Sequence, residues 1–102
     1  MNKLEKDIEQ KLRKMVEKHG GQCLKWVCPG WSGVPDRIVL LPGGRVIFVE
    51  TKRPKGGHLS ELQKWWAGRL LALGFDCETV WNDRDLDAFR RMHLESDKEG
   101  KT

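Results

Sequence analysis

Long apolar runs, a leader-like N-terminus and paired cysteines are all missing from this chain. No stretch approaches the length needed to cross a bilayer, and no N-terminal apolar segment resembles a signal peptide, so a cytoplasmic protein without a membrane partner is expected. Cys23, Cys28 and Cys77 make an odd count without a C-x-x-C pair, which argues against a disulfide framework and for reduced thiols. His19, His58 and His93 are scattered, and with Cys23-x4-Cys28 alone they do not have the close spacing of a zinc site. Internal repeats and linkers are absent. So is a basic tail: 19 Lys and Arg against 15 Asp and Glu are spread along the chain and give a formal +4. That balance suits a polyanionic partner without identifying one.

What is present suffices for one domain. With 102 residues, 38% of them hydrophobic and five tryptophans among them, the chain can fill a single core. Leu4, Ile8, Leu12, Met15 and Val16 recur at helical spacing until Gly20-Gly21 stops the pattern. Cys23–Val27 reads as a short strand, followed by a loop through Pro35. Arg37–Leu41 and Arg45–Val49 are rich in β-branched residues and are joined by Pro42-Gly43-Gly44, which predicts a hairpin. A second loop, Arg53–His58, leads to Ser60 as the N-cap of a helix running through Trp65, Trp66, Leu70 and Leu71 to Gly74. Phe75–Trp81 is a fourth strand. Asn82 or Asp83 caps a last short helix, so residues 1–92 form the domain and residues 93–102 a polar tail. Both hairpin faces are apolar, which calls for helices on both sides of the sheet.

The hairpin also fixes a constellation of charges. If Leu41 pairs with Arg45, counting outward sets Asp36 opposite Glu50, and strand alternation brings Lys52 to the Glu50 face while Thr51 points away. A one-residue slip would undo this arrangement. Two carboxylates facing each other across a sheet repel, so their placement implies a positive partner. Lys52 and a hard divalent cation would serve, and together they are the minimum equipment for activating water beside a phosphodiester.

Gly33-Val34-Pro35-Asp36-Arg37, Phe48-Val49-Glu50-Thr51-Lys52 and Leu59-Ser60-Glu61-Leu62-Gln63, together with Glu5 on the first helix, resemble the VRR-NUC family of the PD-(D/E)xK nuclease superfamily. The resemblance implies a restriction-endonuclease-like α/β domain, ordered αβββαβ(α), with a mixed sheet flanked by helices. It further implies Mg²⁺ or Mn²⁺ held by Asp36, Glu50, the backbone carbonyl of Thr51 and Glu5. Lys52 would position or help deprotonate the attacking water, and Gln63 would hydrogen-bond at the site. Glu5 competes with Asp7 and Glu9; its spacing before Ile8 and Leu12 places it beside the buried stripe. Arg37, Arg53, Lys55 and His58 are candidate contacts to the DNA backbone, although alternation puts Arg37 on the opposite strand face, where another carboxylate can claim it. Trp31 either stacks on a base or packs onto the domain. Trp65 and Trp66 cannot share one helix face, so one of them is left for a second subunit. The implied activity is a DNA endonuclease, acting as a homodimer on four-way junctions or branched intermediates, of phage or prophage origin and without an organic cofactor. A structure-indifferent nuclease and a non-catalytic DNA-binding module of the same fold are the alternatives.

Overall fold

A computed structural model describes residues 3–53 and 56–95, so Lys55 and the stretch from residue 96 onward lie outside the described residues. Helix α1 (Lys3–Lys18) is followed by strands β1 (Gln22–Lys25), β2 (Arg37–Leu41) and β3 (Arg45–Thr51). Helix α2 (Glu61–Ala72), strand β4 (Asp76–Val80) and helix α3 (Asp83–Phe89) complete the order, and a π-helical turn over Arg90–Glu95 continues α3. The sheet runs β1-β2-β3-β4 in space. Its first three strands are antiparallel, and β4 lies parallel to β3, which the crossover through α2 makes possible.

Leu41 pairs with Arg45 around the three-residue loop, and the register continues through Ile38 opposite Phe48 to Arg37 opposite Val49. This is the expected pairing. The loop tolerates it because Gly43 and Gly44 both take positive φ, which residues with a Cβ adopt at a cost.

The two sheet faces have different fates. On one, Cys23, Val39, Leu41, Ile47, Val49 and Val80 pack against Ile8, Leu12 and Val16 of α1, with Leu86, Phe89 and Leu94 closing the end. On the other, Phe48 meets Trp26 and Phe75 at ring-centroid distances of 5.0 and 5.4 Å, and α2 contributes the buried Leu70. Cover on this second face is only partial, since Leu24 and Leu40 remain exposed there. One helix about 10 Å wide spans roughly two strands at about 4.8 Å spacing, so α2, which packs on β4, cannot also roof β1 and β2.

The C-terminal end extends further than residue 92. His93 and Leu94, expected in a polar tail, are buried instead. Leu94 joins the core, while His93 Nε2 meets Glu78 Oε2 at 2.8 Å and its carbonyl accepts from Arg45 Nη2 at 2.8 Å. A polar side chain with a partner on β4 can be buried at little cost, a fact its residue type alone does not reveal.

Leu12 is fully buried between α1 and the sheet. Leu12→Ala should therefore cost about 2–5 kcal/mol of stability, read from the midpoint of chemical denaturation, with the native circular dichroism retained below it.

Candidate active site

Asp36 stands just before β2, where its backbone carbonyl accepts from Trp26 N–H at 2.8 Å. Its carboxylate is held by a single residue across the hairpin: Oδ1 accepts from Thr51 N–H at 3.0 Å and Oδ2 from the Thr51 hydroxyl at 2.7 Å. Thr51 does point away from Lys52 and is fully buried. Its hydroxyl nevertheless reaches the carboxylate of Asp36, which lies just outside the regular strand. Strand alternation alone could not reveal that contact.

Glu50 and Lys52 emerge together at the end of β3, with Lys52 Nζ 3.7 Å from Glu50 Oε2. Gln63 donates from Nε2 to the same oxygen at 3.1 Å. This amide is oriented by its own helix. Ser60 caps α2 by accepting from Gln63 N–H at 3.1 Å, while Gln63 Oε1 accepts from Ser60 N–H at 2.8 Å, forming a reciprocal capping box. With the amide oxygen engaged, the NH₂ group is the end that faces Glu50. The hydrogen bond expected of Gln63 at the site is made to Glu50.

The loop before Asp36 is tied to the same helix. Gly33 has φ +86°, and a Cβ built there would come within 2.7 Å of the Leu62 side chain and 2.9 Å of its backbone carbon. Glycine is required twice over, by the backbone conformation and by the close approach to α2. The Gly-Val-Pro-Asp segment thus docks on the first turn of the helix that carries Gln63.

The first-helix acids divide their positions. Glu5 lines a cleft of about 360 Å³ together with Lys52, Arg53, His58, Ser60 and Gln63. Glu9, one turn further along, is buried; its Oε2 accepts from Arg37 Nε and Nη2 at 3.3 and 3.2 Å. Glu9 also lies against Asp36 and helps raise its pKa. Residues 5 and 9 sit on the same helix face, so spacing alone does not separate them. Arg37 accordingly turns away from the cleft and serves Glu9. Arg53 and His58 are exposed at the cleft, with Arg53 Nη2 donating to the Gly56 carbonyl at 3.4 Å, and Asp7 is exposed on α1. Trp31 is exposed and packs edge-on against Trp66, with centroids 5.9 Å apart.

Burial pushes the Glu50 carboxyl up to about 7; the Asp36 charge adds to the rise, and Lys52 opposes it. Asp36 is raised as well, mainly by burial, with the two Thr51 hydrogen bonds pulling the other way. Among the described residues no three His, Cys, Asp or Glu side chains form a metal-binding cluster on their own. Two desolvated carboxylates, with Asp36 hindering the ionisation of Glu50, still fit a hard cation such as Mg²⁺, which commonly takes one or two carboxylates and completes its shell with water and substrate phosphate.

No protein-family model matches the chain. The "Putative nuclease p44" of Acyrthosiphon pisum secondary endosymbiont phage 1 is 49% identical over 84 residues, which span 82% of this chain and 88% of the phage protein. A solved "VRR_NUC domain" superposes with a TM-score of 0.79 at 27% identity, covering 87% of this chain and 97% of that one. The chain belongs to the VRR-NUC family of nucleases. Its four-stranded mixed sheet with flanking helices is the VRR-NUC fold, and a nuclease function follows from the family.

The raised carboxyls have a measurable consequence in metal-free VRR-NUC protein. A carboxyl whose folded pKa exceeds its unfolded value keeps its proton longer when folded. Stability should therefore fall as pH rises from about 4.5, the ordinary value, to about 7, and level off above that. Carboxyl NMR should show Glu50 titrating near 7, and Glu50→Gln should flatten the slope in this window. Titration near 4.5 would mean that the site is far wetter than its geometry indicates.

Proposed function

We propose that this VRR-NUC protein is a Mg²⁺- or Mn²⁺-dependent endodeoxyribonuclease. The observation that carries the reading is the convergence of Asp36, Glu50, Lys52 and Gln63 at one end of the sheet, beside an open cleft lined by cations. Asp36 and Glu50 hold the cation, with the Thr51 carbonyl and Glu5 as further oxygen donors. When bound, it supplies the positive charge that stabilises the phosphate and acidifies water. Lys52 orients the attacking water, helps remove its proton and offsets charge building on the scissile phosphate. Gln63 fixes the Glu50 carboxylate through its capped amide. Arg53, Lys55 and His58 contact the DNA backbone near the cut, and no organic cofactor is needed.

Selectivity for four-way junctions or branched intermediates requires two such sites acting together, which calls for a homodimer. The exposed apolar residues Leu62, Trp65 and Leu71 on α2 and Leu73 at its C-cap, with Leu24 and Leu40 on the uncovered half of the sheet, support that assembly. Similarity to a phage protein supports a phage or prophage origin and action in a bacterial cytoplasm.

A labelled four-way junction, a matched duplex and single-stranded DNA, incubated with Mg²⁺ or Mn²⁺, test the activity. Paired symmetric nicks confined to the junction are expected. Asp36→Ala, Glu50→Gln and Lys52→Ala should each reduce cleavage by about 10²-fold or more. Equal cutting of all substrates would make the enzyme structure-indifferent; binding without any wild-type cleavage would leave a DNA-binding module. Assembly has its own readout: sedimentation velocity should give a dimer that Trp65→Glu converts to monomer, and a monomeric wild type would remove the dimer from the proposal.

A further inference from the structure

A second cleft, of about 300 Å³, shares no lining residue with the catalytic one. It is formed by Lys6, Glu9, Gln10 and Arg13 of α1 with Lys25 of β1 and Arg37 of β2. Four cations and one carboxylate line it. Arg37 is satisfied by Glu9, and Arg13 makes an exposed pair with Glu17 at 3.3 Å. Lys6 and Lys25 are exposed and have no carboxylate partner among the described residues. Lys25 and Arg37 stand directly opposite each other across the β1–β2 pair. The single Glu9 carboxylate offsets only Arg37, so the Lys25 charge opposite it is left for an anion in the cleft.

The position of this cleft relative to the catalytic centre narrows the choice of anion. Glu9 lines the cleft and lies against Asp36, and Arg37 is the residue next to Asp36, so the cleft adjoins Asp36 while sharing no wall with the cleft that holds Lys52, Arg53 and His58. Cations therefore line two separate clefts near the acids. We infer that this α1–β1–β2 cleft is a second phosphate-binding site that grips the DNA backbone away from the scissile bond, with Lys6 and Lys25 as its free charges. The inference rests on the nuclease reading above. Contacts of this kind set register and affinity without reading bases.

The test measures binding of the full-length protein to labelled duplexes of different sequence across a salt series, in Ca²⁺ to prevent turnover. Lys6→Ala/Lys25→Ala should weaken binding about equally for every sequence and make the slope of log K against log salt shallower by about 1 to 2. Lys6→Arg/Lys25→Arg should restore it. Lys14→Ala/Lys18→Ala removes equal charge from α1 outside the cleft and should keep the wild-type slope. Both target side chains are exposed, so the fold is not at stake, and matching denaturation midpoints would verify this. A wild-type slope in Lys6→Ala/Lys25→Ala, or an equal loss in Lys14→Ala/Lys18→Ala, would overturn the cleft while leaving a protein that still binds and cuts DNA. A wild type that neither binds nor cuts DNA at any salt would overturn the nuclease reading and the cleft together.

Discussion

Asp36 and Glu50, each with much of its water removed, resist ionisation, and most of the surrounding structure can be understood as managing that cost. Both are raised by burial first; a carboxylate then adds to each rise, Glu9 for Asp36 and Asp36 for Glu50. Against this the chain sets the two Thr51 hydrogen bonds on Asp36, the Gln63 amide on Glu50, and the Lys52 ammonium at 3.7 Å. None of these neutralises the pair. Burial outweighs these contacts and keeps both carboxyls above their ordinary range.

Precision at the site comes from backbone devices as much as from the acids. The capping box of α2 uses the Gln63 oxygen to satisfy a helix N-terminus and thereby aims the nitrogen at Glu50. Gly33 lets the loop before Asp36 lie against Leu62 in the same first turn. One helix end therefore references both carboxylates, one through a side chain and the other through loop packing. Arg37 and Glu9 brace Asp36 from behind by joining α1 to the start of β2. The apolar core around Leu12, Val39 and Ile47 gives these short links a rigid base.

Much of this could be read from the residues, for identifiable reasons. A three-residue loop with two glycines permits one register, and the register brings Asp36 and Glu50 to the same end of the hairpin. Ser60-x-x-Gln63 is a capping pattern whose second function, orienting the amide, becomes visible only when Glu50 is in place. The choice between Glu5 and Glu9 could not be made from spacing, since residues four apart share a helix face; tertiary packing separates them, leaving Glu5 at the cleft and burying Glu9 under Arg37. The burial of His93 depends on Glu78, fifteen residues away in sequence, and no local pattern encodes that pairing. Incomplete cover of the second sheet face was likewise hidden, because apolar alternation reports which residues seek burial and not what will bury them.

The asymmetry between the two sheet faces bears on how the site works. The face under α1 and α3 is sealed, and the strand ends that emerge from it carry Asp36, Thr51 and Lys52 on a rigid layer. The face under α2 is sealed only near β4, and its exposed Leu24, Leu40, Trp65 and Leu73 would carry a solvation cost in an isolated monomer. Because α2 also carries Ser60 and Gln63, anything that covers this face bears on the helix that orients Glu50. The same helix thus connects the uncovered apolar surface to the carboxylate pair, and a partner docked there would restrain the very turn on which the geometry of Glu50 depends.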